Sequence, residues 1–98
     1  QKKTELYGTL FEIYQELSHS MTAVKMLEEN IIPTAQEALK EYEKLYSTGR
    51  YSLLELVEAQ RTLLNSRSRL LESVSDFHFY RIEIDRLTGA LITTGVTQ

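Results

Sequence analysis

Leu56, Leu63, Leu70, Phe77 and Ile84 recur every seven residues through the second half of this 98-residue chain. A strict seven-residue apolar period keeps one stripe of a helix turned toward a partner helix and imposes left-handed supercoiling. Leu53, Val57, Leu64, Leu71, Val74 and Leu87 flank the stripe, and Gln60, Arg67 and Arg81 interrupt it, so the seam is not a purely apolar zipper. The first half carries its own helical stripe at Leu6, Leu10, Ile13, Leu17, Val24, Leu27 and Ile31, with Ser20 in a seam position. Steps of four and three in alternation are the signature of an amphipathic helix. The stripe resumes after Pro33 at Ala35, Ala38, Tyr42 and Leu45. Pro33 lacks a backbone donor and crowds the preceding turn, which predicts a kink or break near Asn30 to Ile32 and a restart with proline in the first turn.

Between the halves, Gly49 supplies the left-handed conformation that ends a helix, and Ser52 with Glu55 forms a Ser-x-x-Glu capping box for the next. A connection this short makes the helices antiparallel. The expected fold is all-α: a long antiparallel helical hairpin of coiled-coil type. Its first helix covers about residues 4–47 with a kink near Pro33, its turn 48–51 and its second helix about 52–88. Gly89 is read as a C-terminal stop, followed by an irregular tail over 90–98.

The first helix has a face too wide for one partner. Tyr7, Phe11 and Tyr14 lie beside Leu6, Leu10, Ile13 and Leu17, and a hairpin covers only one narrow seam. Further helices are expected to pack here, as in the wall of a helical barrel, and such faces predict self-association of the chain by itself.

A chain of this length forms one domain at most and buries little surface alone. There is no cysteine, hence no disulfide framework and no thiolate metal site. No run approaches the roughly 18 to 20 apolar residues of a membrane-spanning helix, and Gln1-Lys2-Lys3-Thr4 is not followed by a signal-peptide core. The start at Gln1 without Met is read as a piece cut from a longer protein. A net charge of -3 with acids and bases interspersed argues against a nucleic-acid partner. No glycine-rich phosphate loop, cysteine nucleophile or Ser-His constellation with a third partner is present, so the chain is read as no enzyme and without a cofactor. His19, Met21, Met26 and His78 are scattered without ligand spacing, and no metal site is assigned to them.

The stretch from Tyr46 to Leu64, Tyr-Ser-Thr-Gly-Arg-Tyr-Ser-Leu-Leu-Glu-Leu-Val-Glu-Ala-Gln-Arg-Thr-Leu-Leu, resembles the periplasmic tip of TolC-like outer-membrane efflux factors. Tyr46, Gly49, Ser52, Leu53, Leu54, Glu55, Leu56, Glu58, Ala59, Gln60 and Arg61 occupy the family's places, with Glu for the commoner Asp and Val57 for a Leu. Ile31 to Leu39 resembles the Pro-x-Ala-x-x-Ala-Leu element before the tip. Phe79 to Gly89 resembles the final helix with its Leu-Thr-Gly close. Details lean toward the heavy-metal efflux branch.

The resemblance implies the second periplasmic hairpin of a homotrimeric channel whose twelve helices form a tunnel continuous with an outer-membrane β-barrel. The first hairpin and the barrel strands are outside this sequence. It further implies a passive conduit in the periplasmic portion of the outer membrane, joined to an inner-membrane pump by a periplasmic adaptor protein. Glu55 and Glu58 match positions that face the pore, where three subunits would ring the axis with carboxylates and attract cations. A local explanation competes: acids in a helix's first turns favour its dipole, and Glu55 serves the capping box. Tyr46, Thr48, Gly49, Arg50, Tyr51, Ser52, Leu53 and Leu54 correspond to the adaptor-docking and gating tip. The competing reading makes Gly49 and Ser52 structural, Leu53 core and the rest solvated. The alternative to the channel is an autonomous antiparallel coiled-coil interaction module, such as an adaptor hairpin of the same machinery.

Overall fold

The computed structural model describes residues 2–96, in the order α1 (Lys2–Met26), a π-helical turn (Leu27–Ile31), α2 (Ile32–Ser47) and α3 (Leu53–Val96). The fold is all-α, with helical arms packed antiparallel as a hairpin. Two compact units can be distinguished: one joins α1 up to Thr22 with α3 from Ser73 onward, and the other comprises Ala23–Glu72.

In the first unit Leu6, Leu10, Ile13 and Leu17 are half-buried and Ser20 is buried. On α3 the matching stripe is Ser73, Phe77, Tyr80, Ile84 and Leu87, of which Ile84 is the most enclosed at 7% exposure. In the second unit Leu27, Leu56 and Leu63 form the buried core, with Ser66 beside them and Ala59 and Leu70 half-buried. The seam of α3 therefore pairs each heptad position with the residue three places on, Ala59, Ser66, Ser73, Tyr80 and Leu87. Gln60, Arg67 and Arg81, expected to interrupt the seam, lie one residue further round and are exposed. Small residues at three of these places, Ala59, Ser66 and Ser73, let helix backbones approach closely. Their hydroxyls cost little to bury because each is satisfied on its own helix: Ser66 Oγ donates to the Thr62 carbonyl at 2.9 Å, and Ser20 Oγ to that of Leu17 at 2.9 Å.

Pro33 produces neither a break nor a change of direction in backbone angles. Ile31 and Ile32 both keep right-handed helical angles, and the Ile32 N–H bonds to the Leu27 carbonyl five residues back. Where a kink was expected near Asn30 to Ile32 the structure has a π-turn, which holds one residue more than an α-turn. Pro33 occupies the first turn of α2. The inserted residue moves the stripe: Ile31 is 38% exposed while Ile32 is half-buried, and Ala38 is exposed while Leu39 is half-buried.

The end of α3 also departs from the sequence expectation. The helix passes through Gly89 and continues to Val96 where a stop and an irregular tail were predicted. Glycine permits a left-handed ending without compelling one, and a mid-helix glycine costs only about 1 kcal/mol against alanine. No proline follows to oppose the ladder. Thr97 and Gln98, the rest of that predicted tail, lie outside the described residues.

Candidate functional site: the inter-arm turn and its trough

The turn closes α2 mainly by backbone hydrogen bonds. The Arg50 N–H donates to the Leu45 carbonyl at 2.7 Å and the Gly49 N–H to that of Tyr46 at 3.0 Å, with Gly49 at φ +79°. These two bonds make a Schellman ending, which needs a left-handed residue where Gly49 stands. The next helix begins with the predicted reciprocal pair: the Glu55 N–H donates to Ser52 Oγ at 3.3 Å, and the Ser52 N–H donates to Glu55 Oε2 at 3.4 Å. Ser47 and Thr48 hydroxyls donate to the Lys44 and Leu45 carbonyls, adding a second kind of donor to acceptors that the backbone already uses. The Tyr51 ring packs on that of Tyr42, with centroids 4.9 Å apart at 36°. Sequence reasoning missed this aromatic contact; the signal was a tyrosine on the α2 stripe facing one just past the glycine.

A turn fixed in this way presents its side chains outward. Tyr46, Thr48, Gly49, Arg50, Tyr51, Ser52, Leu53 and Leu54 are all exposed. Leu53 is 57% exposed and Leu54 71%, so Leu53 is not core. Two leucines and two tyrosines on a hydrogen-bonded turn are suited to contact with an apolar partner surface.

Glu55 and Glu58 are both exposed and border an open trough of about 530 Å³, together with Ala35, Ala38, Tyr42, Leu54, Ala59 and Thr62. Glu55 is committed to the capping box. The Glu58 carboxylate has no hydrogen-bond or ion-pair partner among the described residues, and its backbone carbonyl accepts from Thr62 Oγ1 at 3.0 Å. A neighbouring hollow lined by Asn30, Ile31, Thr34, Ala35, Ala38, Thr62 and Ser66 shares its small-residue floor. Of this trough the sequence carries only a trace, the small residues Ala35, Ala38 and Ala59. His19, Met21, Met26 and His78 are each exposed, and no cluster of three or more His, Cys, Asp or Glu arranged for a metal occurs among the described residues. Among those residues no helix is long and apolar enough to cross a membrane.

No family model matches the chain, and no solved structure matches it significantly. It is 28% identical over 87 residues to the cobalt-zinc-cadmium resistance protein CzcC of Cupriavidus metallidurans, a stretch covering 89% of this chain and 21% of that protein. The chain therefore spans about a fifth of the relative's length and is distantly related to it.

Proposed function

We propose that this chain is a tunnel-wall segment of a trimeric outer-membrane efflux channel, its helices in the periplasm and its turn docking the adaptor protein of a tripartite pump. The observation that carries this reading is a second apolar face on a helix whose first is already used. Alongside the buried Leu56 and Leu63, α3 leaves Leu64 at 65% and Leu71 at 72% exposure, and α1 leaves Phe11 at 64%. A helix in a barrel wall has neighbours on both sides; a helix in a free hairpin has one. The distant relation to CzcC, a cobalt-zinc-cadmium resistance protein, supports the same reading and is the reason for taking divalent heavy-metal cations as the solute to test. In this reading the chain catalyses nothing, Glu58 faces the conduit as an unpaired carboxylate, and Tyr51, Leu53 and Leu54 contact the adaptor.

The test uses the intact reading frame that contains this segment, produced in cells lacking their own metal-efflux outer-membrane protein. Leu64→Glu combined with Leu71→Glu is expected to abolish trimer formation and cadmium resistance, and Tyr51→Ala with Leu54→Ala to keep the trimer but lose adaptor crosslinking. Wild-type resistance from the double glutamate variant would sink the wall reading. It would leave the autonomous coiled-coil module as the better account. Unchanged cation selectivity in Glu58→Gln would end the pore role of that residue.

A further inference from the structure

We propose that α2 has two seam registers one residue apart, and that the π-turn at Leu27–Ile31 is the place where that residue is stored or released. In the observed register the half-buried residues of α2 are Ile32, Ala35, Leu39, Tyr42 and Leu45. The sequence carries a second stripe, Ile31, Ala35, Ala38, Tyr42 and Leu45, which continues from Leu27 by ordinary α-helical steps. Three of the five positions are common to both. The other two exchange an isoleucine for its isoleucine neighbour and a leucine for an alanine, so both registers offer an apolar seam.

The location of the π-turn favours such an exchange. Pro33 has no N–H, so the Glu29 carbonyl has no α-helical partner at that position in either register, and the proline ring crowds that same carbonyl. A wider turn just before it gives up little that an α-turn would keep. Leu27, which opens the turn and belongs to both stripes, is buried, while Glu28, Glu29, Asn30 and Ile31 after it are exposed and bring no further core side chain that would hold the wider turn. The residues waiting outside the seam are also the ones lining the hollow: Ile31 and Ala38 border it beside Ala35 and Thr62. Passing to the second register draws both inward and narrows the trough, so anything seated there holds the first. The two states would make unit Ala23–Glu72 a two-position element rather than a fixed rod. None of this depends on the channel reading.

The chain has no cysteine, so single cysteines report the register directly. Ile31→Cys and Ile32→Cys are introduced separately into the whole chain, and their reaction rates with a maleimide are compared. With the rest of the sequence unchanged, the Ile31→Cys thiol is expected to react at least tenfold faster than the Ile32→Cys thiol. Exchanging two neighbours, Ala38→Leu with Leu39→Ala, keeps composition and moves the leucine to the second register; the expected result is full helicity with the rate order reversed. An unchanged order, or loss of helix, would overturn the proposal, because the second register would then not be a folded state. Deleting Asn30 provides an independent arm. With the stored residue removed, the chain is expected to stay helical, keep the Ile32→Cys thiol protected, and no longer reverse when the Ala38/Leu39 exchange is added. Unfolding, exposure of that thiol, or a reversal that persists would each refute storage at the π-turn.

Discussion

The two arms meet the same demand in different ways. From Leu53 to Val96 α3 keeps one helix type, and from Leu56 to Leu87 one heptad phase, whereas the opposing arm changes from α to π and back within Leu27–Ile31. The difference lies in two residues. The α3 segment contains no proline and tolerates Gly89, because glycine removes a side chain but keeps the N–H of the ladder; Pro33 removes the N–H itself. An arm that loses a ladder bond adjusts its residue count per turn, and the count determines which side chains reach the seam.

The largest effect expected from this comparison separates adjacent leucines of α3. Leu63 is 7% exposed and Leu64 65%. Leu63→Ala should destabilise the isolated chain by about 2–4 kcal/mol, and Leu64→Ala by no more than about 0.5 kcal/mol, in urea unfolding followed by circular dichroism. Equal losses would mean that the seam is not where α3 gains its stability in this chain. Leu27, at 3% exposure the most enclosed residue of the interrupted arm, should behave like Leu63.

Next in size is a sign difference between two glycines. Gly49 sits at φ +79°, a conformation that L side chains rarely adopt, although a Cβ there would meet nothing within 4 Å. Gly49→Ala should therefore cost about 1–2 kcal/mol through backbone conformation alone. Gly89 lies within helical α3, where a Cβ also meets nothing within 4 Å. Gly89→Ala should stabilise by about 0.5–1 kcal/mol, visible as a raised thermal midpoint. A destabilising Gly89→Ala would revive the helix stop that the sequence predicted there.

How far the sequence was legible follows from the same contrast. The turn could be read nearly atom by atom, because Gly49, Ser52 and Glu55 act through local hydrogen bonds whose partners are fixed by spacing along the chain. The heptad of Leu56, Leu63, Leu70, Phe77 and Ile84 was legible for the same reason. Its companion line was not, since Ala59, Ser66 and Ser73 are small and partly polar and hydropathy passes over them. The π-turn was hidden by the tandem Ile31-Ile32: either isoleucine completes a stripe, and only packing decides between them. At the candidate site, the exposure of Tyr51, Leu53 and Leu54 and the unpaired Glu58 carboxylate depend on what the rest of the fold leaves uncovered, which local spacing does not specify.

A smaller effect distinguishes the two ends of the turn. Gly49 closes α2 through backbone bonds, while α3 is opened by side chains, so the opening can be weakened without altering a dihedral angle. Ser52→Ala removes the acceptor for the Glu55 N–H and should cost about 1 kcal/mol. Glu55→Gln keeps an oxygen to accept from the Ser52 N–H but loses the charge at the helix N-terminus, which should cost about 0.3–1 kcal/mol and less at high salt. If the two variants lost equal stability in about 1 M salt, where exposed charges are screened, the charge would have no part in the cap.

The smallest effect concerns charge along α3. All six arginines are exposed, and the Arg86 guanidinium reaches Glu83 Oε1 at 2.6 Å, an i,i+3 pair with the Arg86 side chain 71% exposed and that of Glu83 24%. The pair links one turn of a single helix and bridges no arms. Solvent screening and the entropy of holding two long side chains leave it about 0–0.5 kcal/mol. Glu83→Gln should therefore move the unfolding midpoint less than Gly89→Ala does, in the opposite direction, with the difference vanishing as salt is added. A larger, salt-resistant loss would mean that Glu83, half-buried beside Ile84, acts as part of the seam, and that α3 depends there on more than its heptad.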